Sequence, residues 1–160
     1  MKLSSRTDQR GFTLIELLVV IGILAIILAI TIIALNPIKH FQDSRNAQRQ
    51  SDVTAILDAV YEYEAAQKGI LPTALQSITL GTTYNITSTV GATNVSLCTD
   101  LVTGGYIADL PIDPKTGTKS GSTACSGTYD TKYTITESTT NNRFTVAATA
   151  EPSGTISVTR

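Results

Sequence analysis

Hydrophobic residues are concentrated near the start of the chain. From Phe12 to Leu35 the only charged residue is Glu16. A helix over residues 12–35 is about 36 Å long at 1.5 Å per residue, which exceeds the ~30 Å hydrocarbon core of a bilayer. The stretch is longer than the apolar part of a secretory signal peptide, and no Ala-x-Ala-like site follows it. The pattern therefore predicts a membrane-spanning helix.

An amphipathic helix is predicted to continue beyond this span. Pro37 predicts a kink, because a proline inside a helix lacks an N–H donor and crowds the preceding turn. Apolar residues then recur with helical spacing, at Val53, Ile56, Leu57 and Val60. Gly69 and Pro72 end the pattern. We therefore expect one kinked helix from about residue 12 to residue 68, whose second half needs a partner for its apolar stripe.

The remaining residues, 69–160, are rich in Thr, Ser and Gly and predict a small globular domain. A short helix is expected within residues 96–107, with turn residues at 110–117. Apolar and polar residues alternate as in strands at residues 132–138, 143–150 and 155–159. The expected fold class is α+β: a long kinked N-terminal helix, membrane-spanning in its first half, packed against a small antiparallel sheet of three strands.

Charge and candidate chemistry exclude several classes of function. The net charge of −1 over 160 residues makes nucleic-acid binding unlikely, because such proteins usually carry a basic excess. His40 is the only histidine, and residues 117–121 lack the spacing of a phosphate-binding loop. We therefore expect no catalytic site, no cofactor and no enzymatic activity.

Two cysteines, Cys98 and Cys125, lie in the polar C-terminal part. If that part is exported, a disulfide between them is expected, with a contribution of about 3.5 kcal/mol to stability in the chain-entropy model. The alternative is that they are two unrelated small apolar residues.

A short basic leader ends in Gly11 and is followed by Phe12, Thr13 and the apolar run that contains Glu16. This start of the chain resembles the prepilin signal of bacterial type IV pilins and of the pseudopilins of type II secretion. The resemblance implies a pilin-like fold, cleavage between Gly11 and Phe12 by a prepilin peptidase, and N-methylation of Phe12 by the same class of enzyme.

The same resemblance divides the chain into four parts. It implies a leader peptide at residues 1–11 and a transmembrane and filament-core helix at residues 12–38. An amphipathic continuation at residues 39–68 and a globular domain with a short helix and antiparallel strands at residues 69–160 complete the expected organisation.

Glu16 is the residue that the apolar pattern alone leaves unexplained, since a carboxylate in the span costs about 2.5–3.5 kcal/mol. The resemblance implies that Glu16 of one subunit pairs with the Phe12 amine of another inside a bundle of helices. The alternative is a carboxylate that reaches the membrane surface.

Residues 96–114 also resemble a segment of major pseudopilins, which often bind calcium in this region. Asp109 and Asp113 are weak candidate ligands, but the dense carboxylate spacing of a calcium loop is absent. We favour turn-forming aspartates and expect no metal.

The sequence thus predicts a structural subunit of a type IV pilus-like filament. The precursor is expected to span the inner membrane once. An inner-membrane assembly platform would then build the processed chains into a homo-oligomeric helical filament, extracellular or periplasmic. The alternative is a minor pseudopilin or a tip-located binding module, in type II secretion or DNA uptake.

Overall fold

The computed structural model describes residues 11–160, and within them the chain forms two α-helices and six β-strands. Contacts divide the chain into two compact units, Met1–His40 and Phe41–Arg160. Most of the predicted leader, residues 1–10, lies outside the described residues.

The two helices are α1 (Leu14–Leu35) and α2 (Pro37–Ala66). Asn36 between them has φ 39° and ψ 71°, in the left-handed region. A residue that precedes a proline disfavours the right-handed helical conformation, and Pro37 takes the first position of α2, where no N–H is required. The predicted interruption is confirmed and lies at Asn36, one residue before the proline.

The six strands form one sheet and are β1 (Thr83–Thr87), β2 (Asn94–Val95), β3 (Thr118–Lys119), β4 (Tyr129–Glu137), β5 (Phe144–Thr149) and β6 (Thr155–Thr159). Their order is β2-β1-β4-β5-β6, and β3 also pairs with β4. The pair β1–β2 is parallel, and the other pairs are antiparallel. The predicted α+β class is confirmed.

Three strands were predicted, and these correspond to β4, β5 and β6, but the prediction of a three-stranded sheet is wrong. Strands β2 and β3 have two residues each, too few to show a period in the sequence. Strand β1 does alternate, with Tyr84 and Ile86 buried, but its antiparallel partner β4 is far away in the sequence. The alternation of β1 was therefore a local signal that sequence reasoning missed, whereas its pairing with β4 left no such signal.

The hydrophobic core lies between α2 and the inner face of the sheet. Val53, Ile56, Leu57 and Val60, the predicted stripe, are fully buried. They share one cluster with the inward-facing residues of the sheet, among them Tyr133. The stripe therefore finds the partner that its spacing requires.

A buried ion pair joins α2 to the turn before β3. Arg49 is 2% exposed, and its Nε donates a hydrogen bond to Oδ2 of Asp113 at 2.5 Å. Asp113 also accepts hydrogen bonds from the backbone N–H groups of Lys115 and Thr116 and from the Thr116 hydroxyl. Each carboxylate oxygen thus has a donor, which a buried charge requires.

A second set of polar contacts ties the β5–β6 turn to α2. Arg45 forms an ion pair with Oε2 of Glu151 at 2.6 Å, and Lys115 forms one with Oε1. Asn46 donates to the Glu151 carbonyl at 2.6 Å and accepts from its N–H at 2.9 Å. The contact with Lys115, followed by that with Arg45, lowers the pKa of Glu151 from its ordinary value.

The pKa values of two aspartates near this region are shifted in opposite directions. Burial raises the pKa of Asp113, but the hydrogen bonds from Arg49, Thr116 and Lys115 outweigh it and hold that pKa well below its ordinary value of 3.8. For Asp52, burial raises the pKa and the hydrogen bond from the Tyr133 hydroxyl offsets it only in part.

We expect Asp113→Asn to lower the free energy of unfolding at about pH 7 by about 3–5 kcal/mol, because the substitution leaves Arg49 charged and buried without its counter-ion. Asp52→Asn is the matched control. It should have a much smaller effect, since the Asp52 environment already favours a neutral group and an amide oxygen still accepts from Tyr133. Urea unfolding of the full chain in detergent micelles measures both.

The stability that the Arg49–Asp113 pair contributes should decrease at low pH. A depressed carboxyl pKa stabilises the fold above the unfolded-state value, and this contribution is lost as the pH falls below about 4. The difference between wild type and Asp113→Asn should therefore shrink as the pH falls from about 4. A difference that stays constant, or equal effects of the two variants, would contradict the role given to the Arg49–Asp113 pair.

Candidate processing and assembly segment

Helix α1 presents its apolar side chains to its surroundings. None of its 22 residues is buried, and its length is about 33 Å at 1.5 Å per residue. By length and composition, one helix among the described residues qualifies as a membrane span, and its apolar window has no buried residue. An apolar helix of this length without protein cover matches the hydrocarbon thickness of a bilayer.

The residues just before α1 are extended and exposed. Gly11 and Phe12 precede the helix, and Phe12 is 79% exposed. A Cβ atom built on Gly11 meets no atom within 4 Å. The predicted cleavage site is thus accessible, and the fold of the chain itself does not require a glycine at this position.

Glu16 takes part in a capping box at the start of α1. Thr13 is the N-cap residue, and its hydroxyl accepts from the Glu16 N–H at 3.2 Å. Oε2 of Glu16 in turn accepts from the Thr13 N–H at 3.3 Å. The two contacts satisfy backbone donors that the first turn of a helix otherwise leaves free. A carboxylate at this end also interacts favourably with the helix dipole.

The capping role of Glu16 was missed in the sequence, although its signal is present there. Thr13 followed by Glu16 has the Thr-x-x-Glu spacing of a capping box ahead of an apolar run. Glu16 therefore has a partner within its own chain in addition to the partner that the prepilin resemblance implies.

Cys98 and Cys125 form a disulfide, with their Cα atoms 5.4 Å apart and a sequence separation of 27 residues. Cys98 begins the short helical turn Cys98–Thr103, which lies within the predicted residues 96–107 and is followed by Gly104. Cys125 lies in the single turn Ala124–Ser126. The bond thus fastens two loop segments that carry little regular structure.

Asp109 and Asp113, the two weak candidates for metal ligands, both accept hydrogen bonds within the chain. Oδ1 of Asp109 accepts from the backbone N–H groups of Leu110 and Ala124, and Lys119 lies 3.6 Å from Oδ2. Asp113 holds the turn at residues 113–117 and the buried Arg49, as described above. In the part of the chain that the structure describes, no group of three or more His, Cys, Asp or Glu side chains forms a metal-binding cluster.

Arg49 is the structural residue that sequence reasoning overlooked. It lies four positions before Val53, on the same face of α2, so helical periodicity alone places it toward the core. The identity of its partner, Asp113, depends on tertiary structure.

Comparison with known protein families gives one match. The family model described as the prokaryotic N-terminal methylation motif matches residues 6–32. No curated protein and no solved structure matches the chain.

The matched motif identifies the signal at the start of the chain. It is the prepilin signal of type IV pilins and pseudopilins, and the matched residues include the end of the predicted leader, the predicted cleavage site and most of α1. The start of the chain therefore carries the signal that is typical of type IV pilin-like and pseudopilin precursors.

The disulfide should stabilise the unit Phe41–Arg160. Replacement of both cysteines by serine should lower its free energy of unfolding by about 3.5 kcal/mol, since the open chain gains conformational entropy on unfolding. Thermal unfolding of the full chain, with and without reductant, measures the effect. Reductant should destabilise wild type and leave the double variant unchanged, whereas an equal response of the two would contradict the prediction.

Proposed function

We propose that this chain is a structural subunit of a type IV pilus-like filament, made as a prepilin, cleaved after Gly11 and assembled through its N-terminal helix. The observation that carries the proposal is the apolar surface of α1, which directly follows the processing signal and has no buried residue. In lipid such a helix is stable. Against similar helices it gains close van der Waals packing.

The proposed sequence of events begins in the membrane. The precursor spans the inner membrane once through α1, and a prepilin peptidase removes residues 1–11. An assembly platform in the same membrane then transfers the helix from lipid into the filament core. The globular domain, which carries the disulfide, forms the filament surface outside the cytoplasm, where disulfides persist.

Cleavage creates the second charge that this model of assembly needs. The new amine of Phe12 lies four residues before Glu16, and both are in an apolar environment once the helix is packed. A buried charge is tolerated when it is paired. We therefore assign Glu16 two roles: it caps α1 in its own chain, and in the filament it pairs with the Phe12 ammonium of a neighbouring subunit.

Processing can be tested by intact mass. We expect the mature chain to begin at Phe12 with one added methyl group, and Gly11→Val to remain uncut. A side chain at Gly11 meets nothing in the chain itself, so a loss of cleavage reports the peptidase. Gly22→Val is the matched control, because a Cβ at Gly22 also meets no atom within 4 Å; it should be cut normally.

The outcome of the same preparation decides between the candidate functions. Purified surface fibres should consist mainly of this chain, cut at Gly11. Fibres that retain residues 1–11 would overturn the processing scheme. Fibres in which this chain is present only in trace amounts would favour the minor pseudopilin or tip-located module instead.

The charge of Glu16 can be separated from its capping role. Glu16→Gln keeps the capping box, since glutamine also serves at this position, but removes the counter-ion of Phe12. Membrane insertion should be intact or improved, while assembly should be weakened by about 3–5 kcal/mol per subunit. In fibres grown with equal expression of both forms, the variant should be strongly under-represented.

Thr13→Ala provides the converse control. It removes the capping hydroxyl, at a cost of about 1 kcal/mol, and keeps the charge of Glu16. We expect it to assemble nearly as wild type. If Thr13→Ala is excluded from fibres and Glu16→Gln is not, Glu16 acts through the cap and the proposed pairing with Phe12 is wrong.

A further inference from the structure

The unit Phe41–Arg160 contains a surface cleft that filament assembly does not explain. The cleft has a volume of about 700 Å³, within the range of small-molecule sites. Its lining residues come from three segments: residues 73–78, residues 84–96, which include parts of β1 and β2, and the start of the turn Cys98–Thr103. All three belong to one compact unit.

One part of the cleft is aliphatic. Its aliphatic lining consists of Ala74, Ile78, Val90, Ala92 and Val95, and the mostly buried Tyr84 also contributes to the lining. Val95 is buried, whereas Val90 is 72% exposed. A large apolar side chain at the rim of a cleft is available to cover the nonpolar face of a ligand.

The rest of the lining is rich in hydroxyl groups, and two of them are fixed by Tyr129. Oγ of Ser96 lies 3.1 Å from the Tyr129 hydroxyl, and Oγ of Ser88 accepts from the Tyr129 N–H at 3.1 Å. Among the described residues, the hydroxyls of Ser77 and Thr99 have no hydrogen-bond partner. The cleft thus combines oriented hydroxyls with hydroxyls that are free to bind.

Asp100 supplies the one charge in the lining. Its Oδ1 accepts from the Thr73 hydroxyl at 3.4 Å, and its Oδ2 has no partner in the part of the chain that the structure describes. Asp100 lies two residues after Cys98, whose disulfide fastens this turn to Cys125. A free carboxylate held in place on a closed loop is a strong acceptor for a donating ligand.

We propose that this cleft binds a neutral sugar unit of a glycan. A pyranose presents C–H groups on its faces and hydroxyl groups at its edges, which matches an aliphatic wall beside hydroxyls and a carboxylate. No lysine, arginine or histidine lines the described cleft, so an anionic ligand would meet the charge of Asp100 without compensation. The proposal does not depend on filament assembly.

The test uses the full chain in a detergent without a sugar head group. Methyl glucoside, methyl galactoside and N-acetylglucosamine are the probes, and amide NMR shifts report where they bind. At least one probe should cause saturable shifts at residues of the cleft, including Ser77, Thr99 and Asp100. Glucuronic acid and an uncharged blocked alanine tripeptide, added in the same way, should cause none.

Two variants and one control locate the site. Asp100→Ala should weaken sugar binding about tenfold or more, as expected for the loss of a hydrogen bond to a charged group. Asp43→Ala, an exposed acid on α2 outside the cleft, is the charge-matched control and should bind as wild type. Ala92→Phe should block the cleft without disturbing the core, because Ala92 is exposed and lines it.

Several results would overturn the proposal. They are the absence of saturable shifts with every neutral sugar, equal binding of glucuronic acid, binding of the tripeptide alone, or normal sugar binding by Ala92→Phe. Each leaves the filament proposal untouched, since that proposal is tested by the N-terminus and by the composition of fibres.

Discussion

The exposed apolar surface of α1 is the constraint that governs this protein. A helix of 22 residues with no buried side chain is unstable in water, because each exposed apolar Å² costs about 25 cal/mol relative to burial. The described residues offer it no cover, so the surface must be covered by lipid or by other chains. An apolar helix directly beside a prepilin signal fits a membrane-anchored precursor. In our proposal, the same surface packs against other helices after cleavage.

The charged side chain of Glu16 can be accommodated in this apolar surface because it lies at the N-terminal end of α1. At the first turn of α1 its carboxylate accepts from the backbone N–H of Thr13, which has no partner within the helix. It also lies at the positive end of the helix dipole. In our proposal, its placement four residues from Phe12 also makes it available to the ammonium group that cleavage after Gly11 would create. A single acid thus serves helix initiation in one chain and, in our proposal, registration between chains.

In the unit Phe41–Arg160, buried and partly buried ion pairs stabilise loops that the apolar core does not fix. Loops make up much of this unit, and short loops cannot bury enough surface to fix themselves. Arg49 holds the turn at Asp113, and Glu151 holds the β5–β6 turn to α2. The disulfide fastens the turn that carries Asp100. Pairing matters here because an isolated buried charge would be strongly destabilising.

The sequence by itself determined the features that depend on neighbouring residues. The apolar span, the interruption next to Pro37, the buried stripe from Val53 to Val60, strands β4 to β6 and the prepilin signal all follow from local periodicity or from a contiguous motif. The disulfide was predictable only as the natural pairing of two cysteines in a chain expected to be exported. The capping box at Thr13 and Glu16 was also present as a local pattern, although it was not noticed.

Only the tertiary structure decided the features that join distant residues. The partner of Arg49 is 64 positions away, and β1 pairs with a strand far along the chain, so neither contact has a periodic signature. The cleft near Asp100 is lined by residues from separate parts of the chain, within 73–78, 84–96 and 99–100. Local sequence sets which conformations a segment prefers. Which segments meet is set by the collective burial of the core, and that is not encoded in any one of them.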